Sequence, residues 1–171
     1  TAKSATYYYS EVDTPLLATA ALARLGKETE KNSKIVREAL AKDEYGSYRA
    51  AGLLTDDATV WLVFAKLTGF GDDADKQIKY GNSYYVLSRS SIISTLGGMR
   101  NPLVARMLIE GLPSIPIGEW RQVGTALQRL GEDLGDEGIR QDGIGLESLI
   151  GFLSLEYSSM VPDMNSPRVV A

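Results

Sequence analysis

The stretch Thr55-Asp-Asp-Ala-Thr-Val-Trp-Leu-Val-Phe-Ala-Lys-Leu-Thr-Gly69 decides the fold class of this chain. Val60, Trp61 and Phe64 recur at helical spacing, and the Thr-Asp pair ahead of them is a capping signal. A short apolar run also suits a buried strand, but the cap and the length favour a helix over residues 56–70. Because apolar side chains surround it, we predict that this helix is the central, buried one.

The flanking sequence repeats the helical signals. Thr14-Pro15 and Asn101-Pro102 each place a capping residue before a proline at the first helical position. Gly26 and Gly97-Gly98 are predicted helix stops. About nine helices result, with no strand pair expected. The predicted spans are residues 14–25, 29–42, 45–54, 56–70, 72–89, 90–96, 102–112, 120–130 and 146–157.

The predicted architecture is all-α: one compact, multi-helical domain with an extension at each end. The 171-residue length suits a single domain with a self-sufficient core. Residues 1–13 are predicted to form an N-terminal arm, residues 14–157 the helical core, and residues 158–171 a C-terminal tail containing Pro162 and Pro167. A glycine-rich acidic loop is expected over residues 131–145.

The residue types that are missing exclude many functions. The chain has no histidine and no cysteine. This removes histidine-based catalysis, cysteine nucleophiles, the usual zinc sites and disulfides. We therefore expect no cofactor and no enzymatic activity. A carboxylate-based hydrolase acting through Glu147 remains the third hypothesis, because that chemistry needs only acidic residues.

Two acidic clusters raise the question of a metal site. An EF-hand loop starting at Asp73 would need glycine and glutamate where Ile78 and Tyr84 stand. The cluster over residues 132–142 also has the wrong spacing. We therefore predict no metal site, and interpret Asp72, Asp73 and Asp75 as the acidic first turn of a helix.

The chain carries no recognisable targeting segment. The N-terminal residues lack the apolar core of a signal peptide. The longest apolar run, Val60–Ala65, is far shorter than the ~20 residues that span a bilayer. We expect no membrane insertion and an intracellular, soluble protein.

The basic residues suggest a nucleic-acid surface. Net charge is −4, so the whole chain does not attract phosphate. Residues 24–49, however, hold seven basic and five acidic side chains. Single-stranded RNA is the expected nucleic acid; a solvated charged face is the alternative. The candidate contacts are Lys27, Lys31 and Lys34 on one helical face, and Arg89 and Arg100 near helix ends.

The two extensions suggest self-association. Tyr7-Tyr8-Tyr9 are three consecutive aromatics ahead of the first helix, and aromatics often anchor interfaces. Val161 and Val169 are apolar residues of the tail. An arm folded over its own core is the alternative.

We expect from these features a structural subunit that forms homo-oligomers through its arms. A viral coat or nucleocapsid-type protein is the leading hypothesis, with the virion as its location. A helical adaptor that binds another protein is the second.

Overall fold

A computed structural model of the chain describes residues 14–71, 75–80 and 83–134. This part is mostly helical, as predicted. The predicted arm, tail and last helix, with Tyr7, Tyr8, Tyr9, Glu147, Val161 and Val169, lie outside it. Its elements are α1 (Thr14–Arg24), α2 (Thr29–Ala41), α3 (Ser47–Ala51), α4 (Asp57–Thr68), β1 (Asp75–Tyr80), β2 (Ser83–Ser88), α5 (Arg89–Gly98), α6 (Pro102–Gly111) and α7 (Trp120–Leu134), with two 3₁₀ turns at Leu112–Ser114 and Ile117–Glu119.

Capping side chains fix where three helices begin. The Asp56 carboxylate accepts a 2.9 Å hydrogen bond from the Thr59 backbone N–H and starts α4. The Asn101 side chain does the same for the Leu103 N–H at 2.8 Å, and Pro102 follows it at the first position of α6. Both starts were predicted. Ser88 forms a capping box that starts α5 directly after a strand.

The helix predicted over residues 72–89 is wrong. Residues 75–80 and 83–88 are two antiparallel strands, with Tyr80 paired to Ser83 and Asp75 paired to Ser88. The structure gives the physical reason: Tyr84 and Val86 are exposed while Tyr85 and Leu87 point to the helices, the two-residue alternation of a strand. In the sequence, Gly81-Asn82 is a dipeptide typical of two-residue hairpin loops. Asp75 is a strand residue and not part of a helical first turn.

The prediction that α4 is the buried central helix is also wrong. Val60, Val63 and Leu67 face the core, but Trp61 on the other side is 57% exposed. The buried position belongs to α5, which packs against both α4 and α7. Ile92, Ile93 and Leu96 of α5 are completely buried.

Helix α5 ends at Gly98, within the predicted Gly97-Gly98 stop, and Gly97 has a further role in packing. A Cβ atom at this position would stand 2.8 Å from the Ala126 Cα of α7. The glycine is therefore required for the close approach of two helix backbones. On the facing helix, Val123, Leu127 and Leu130 are buried, as their spacing predicts. Helix α7 continues to Leu134, so residues 131–134, which were predicted to open a loop, are helical.

Candidate interaction surfaces

The predicted lysine ridge is solvent-exposed. Lys27 precedes α2, and Lys31 and Lys34 lie on the face of α2 opposite the buried Val36 and Leu40. The Lys31 ammonium lies 2.9 Å from the Glu28 carboxylate, and both side chains are about two-thirds exposed. Such a pair contributes little stability, because water screens it. Within the described residues Lys27 and Lys34 have no ion-pair partner.

Exposed apolar side chains lie beside this ridge. Leu25 is 75% exposed directly after the end of α1. Ile35 is exposed on α2. The Lys27 backbone N–H donates to the Leu22 carbonyl at 2.9 Å and closes the turn between α1 and α2, which contains Leu25 and Lys27. This corner is both basic and apolar.

Arg89 does not lie on an exposed phosphate-binding surface. It is the first residue of α5 and is only 5% exposed. Its guanidinium donates to the Gly71 carbonyl and lies 5.4 Å from the centre of the Phe70 ring. These contacts anchor the chain ahead of the hairpin to the start of α5. We therefore leave Arg89 out of any nucleic-acid surface.

Arg100 is exposed and stands in the left-handed backbone region, at φ 29°, between α5 and the cap of α6. Arg89 and Arg100 lie at opposite ends of α5, a helix of ten residues and therefore about 15 Å long. The lysine ridge is on α2, which packs mainly on α1, α3 and α4. The structure therefore does not bring the predicted basic residues together as one site.

The outer face of the hairpin is a second exposed apolar surface. Tyr84 and Val86 of β2 are 63% and 62% exposed. They pair with Lys79 and Gln77 of β1, which are exposed on the same face. The opposite face packs on the helices through Leu87 and the half-buried Ile78 and Tyr85. Because the sequence predicted a helix over this segment, it did not identify Tyr84 and Val86 as exposed residues.

Comparison of the chain with protein-family models, curated proteins and solved structures gives no match. Among the described residues, no cluster of three or more acidic, histidine or cysteine side chains could hold a metal ion. No helix in the described ranges has the length and apolarity needed to cross a bilayer. The exposed surfaces are therefore the basis for a functional proposal.

A polar cluster around Asp43 fixes the hairpin to the helices. The Asp43 carboxylate accepts hydrogen bonds from the Tyr48 hydroxyl at 2.6 Å and from the Lys66 ammonium at 2.8 Å. Its backbone carbonyl accepts one from the Tyr85 hydroxyl of β2 at 2.7 Å. The Tyr85 ring also packs edge-on against Tyr45 at 5.3 Å. Helix α4, the loop after α2 and the hairpin thus meet at a single aspartate.

The two tyrosines of this cluster are held in their neutral form. Burial, followed by the hydrogen bond to Asp43, raises the pKa of Tyr48 well above its usual range. Burial and the nearby Asp43 carboxylate raise the pKa of Tyr85 to about 12. A phenol with a raised pKa is a poor general base at neutral pH. The cluster is best interpreted as a structural clamp that positions the exposed face of the hairpin.

Proposed function

We propose that this protein is a structural, self-assembling subunit of the viral coat or nucleocapsid type. The observation that carries the proposal is the exposed aromatic and aliphatic face of β2, where Tyr84 and Val86 project into solvent from a strand without a charged residue. Exposed apolar surface of this kind marks interaction sites in globular proteins. Tyrosine is also among the residues most enriched in interfaces.

The arrangement of the exposed apolar residues favours an assembly over a simple dimer. Tyr84 is on the hairpin, Leu25 is on the α1–α2 corner, and Trp61 is on α4. Separate contact surfaces on one subunit allow each copy to bind more than one neighbour, which closed rings and extended filaments require.

Lys27 and Lys34 supply a place for nucleic acid in the proposed assembly. Lys34 on α2 and Lys27 in the turn before it are both exposed, and neither forms an ion pair with another described residue. Lysines on one face neutralise phosphates without reading base sequence. Single-stranded RNA is the proposed ligand, and it would bind more weakly as the salt concentration rises.

The second candidate function is a helical adaptor that binds one protein partner. The basic and apolar corner formed by Leu25, Lys27 and Ile35 favours it, since an acidic amphipathic helix would complement such a surface. An adaptor, unlike a coat subunit, stays monomeric when it is concentrated without its partner.

Static light scattering of the purified chain distinguishes these functions. The mass is measured at rising protein concentration, at low and high salt, with and without single-stranded RNA. The assembly proposal expects the mass to exceed that of one chain as concentration rises, and to grow further with RNA at low salt. A mass of one chain under every condition would contradict it and favour the adaptor.

A further inference from the structure

We infer that the outer edge of β2 binds the Tyr7–Tyr9 arm of a second copy of this chain, which adds to the hairpin as a third strand. This inference rests on the self-assembly proposed above. It names the surface and the segment that make one of the contacts between subunits.

The edge of β2 lacks the protection that edge strands usually carry. The six residues from Ser83 to Ser88 are all uncharged, whereas β1 contains Asp75, Lys76 and Lys79. Proteins commonly place charges, above all lysine, on a strand edge to prevent pairing with another chain. Within the described residues the sheet has two strands, so the far side of β2 is not covered by a strand there.

The register shows which groups this edge offers. In an antiparallel hairpin with a two-residue loop, the pair that closes the loop exchanges hydrogen bonds, and later pairs alternate. The closing pair here is Tyr80 and Ser83. The backbone N–H and C=O groups of Tyr84 and Val86 are therefore directed away from β1. The same two residues carry the exposed side chains, so backbone and apolar groups are available together.

The arm has the composition of a strand that would fit this edge. Residues 5–12 read Ala-Thr-Tyr-Tyr-Tyr-Ser-Glu-Val, with no glycine and no proline. Tyrosine, threonine and valine are strand-forming residues. If the arm is extended, Tyr7 and Tyr9 share one face and can cover Tyr84 and Val86. Aromatic pairs and aromatic–valine pairs across neighbouring strands are among the stabilising ones.

The proposed donor of the arm is a second copy. Helix α1, which follows the arm in the sequence, packs mainly on α2 and α3, whereas β2 packs on α5. The choice of a second copy rests on the proposed self-assembly, since an arm bound to its own hairpin would not link two subunits. Binding of the chain's own arm is therefore an alternative outcome that the experiment must separate.

Substitutions at Val86 test the edge by light scattering. Val86→Pro removes the outward N–H and leaves the hydrogen bonds to β1 intact. Val86→Lys puts a charge on the edge and serves as the second variant if proline impairs folding. Gln77→Lys is the matched control, since Gln77 pairs directly with Val86 on the same face but lies on β1. Thermal unfolding checks that each variant folds.

The expected result is that wild type and Gln77→Lys assemble at the same concentration. Both Val86 variants should need a concentration higher by about tenfold or more, a difference of about 1.4 kcal/mol. If both Val86 variants assemble like wild type, the edge is not the contact and this inference fails, while the proposed function stands. If wild type stays monomeric at every concentration, the inference and the proposed function both fail.

Cross-linking tests whether the arm of a second copy binds the edge of β2. Because the chain has no cysteine, Tyr9→Cys and Val86→Cys each introduce a single thiol. Mixing the two single variants with a short bis-maleimide should give a two-chain product that contains one copy of each variant. Absence of that product from assembled protein would overturn the inference. A doubly substituted chain that cross-links only within itself would show that each arm binds its own hairpin, which also overturns it.

Discussion

The Tyr85 hydroxyl donates a 2.7 Å hydrogen bond to the backbone carbonyl of Asp43, a residue 42 positions earlier in the chain. This bond joins the hairpin to the loop that follows α2. The Asp43 carboxylate is bound in turn by Tyr48 and Lys66, so the loop cannot shift without breaking those contacts. These contacts thus hold the exposed face of β2 in a fixed position.

Replacing Tyr85 by phenylalanine is expected to weaken the attachment of the hairpin to the loop after α2. The variant keeps the ring and its packing on Tyr45 but leaves the Asp43 carbonyl without its partner. The free energy of unfolding should fall by about 1 kcal/mol, the usual contribution of one hydrogen bond. Urea unfolding measures it. Tyr84→Phe, which alters a largely exposed phenol, should leave the midpoint unchanged, and equal losses in both variants would contradict the anchoring role.

The raised pKa of Tyr85 in this cluster predicts that the free energy of unfolding falls at alkaline pH. An unfolded tyrosine has a pKa of 10.0, whereas Tyr85 in the folded chain has one of about 12. The folded state therefore keeps a proton that the unfolded state loses between these pH values, so the unfolding free energy falls as pH rises through this window. Below pH 10 the contribution is fully present.

Urea unfolding of wild type and Tyr85→Phe between pH 9 and 12 checks this. The variant should lose less stability than wild type over that window. Tyr48, whose pKa is raised as well, leaves part of the pH dependence in place. Identical slopes for the two proteins would show that Tyr85 does not contribute.

The helical elements with strong local signals could be predicted from the sequence. A capping residue followed by proline fixed the start of α6 at Asn101 and Pro102, because these devices act within one turn. The hairpin was not predicted, because the acidic residues over 72–75 were interpreted as the first turn of a helix that continued to residue 89. Asp75 resembles a helical first turn, and only the alternation beyond it, together with Gly81-Asn82, indicates a strand pair.

The role of Gly97 in helix packing could not be predicted from the local sequence either. A glycine pair near the end of a helix is locally a stop signal, but the reason for Gly97 is the Ala126 backbone of α7, which no local pattern reveals. Gly97→Ala should therefore lower the unfolding free energy by about 1–3 kcal/mol, the usual cost of overpacking. Thermal unfolding measures the loss.

Gly124→Ala on α7 is the matched control for Gly97→Ala. Among the described residues, a Cβ atom at Gly124 has no neighbour within 4 Å outside the backbone of its own helix. Alanine there should raise stability by about 0.5–1 kcal/mol, since it lowers the entropy of the unfolded chain. A gain in stability at both positions would contradict the close approach of α5 and α7.

The candidate site was predictable only where exposure follows from helical periodicity. The exposed positions of Lys31 and Lys34 follow from their place opposite the buried stripe of α2. Arg89 gave the same sequence signal as an exposed cation at a helix end. Its burial depends on Phe70 and Gly71, whose position was not predicted because the hairpin was taken for a helix.

The lysine ridge predicts a salt-dependent affinity for RNA. Lys27→Gln combined with Lys34→Gln should weaken binding of a single-stranded oligonucleotide regardless of its sequence. Removing one lysine–phosphate interaction reduces the slope of log affinity against log salt by about 0.7, so the slope of the double variant should be smaller by about 1.4. Fluorescence anisotropy at several salt concentrations measures both the affinity and the slope.

Arg106→Gln is the control for the ridge, because Arg106 is an exposed cation on α6 that pairs with Glu110 at 2.8 Å. It should bind RNA like wild type. An equal loss of affinity in the control and in the double variant would show that charge in general, and not the ridge, determines binding.

Electron microscopy of the concentrated wild-type chain at low salt, with single-stranded RNA, tests self-assembly most directly. We expect objects of constant geometry: particles of one diameter or filaments of one width. Such regularity requires repeated, specific contacts between subunits. Fields that hold only single chains or shapeless aggregates would contradict it.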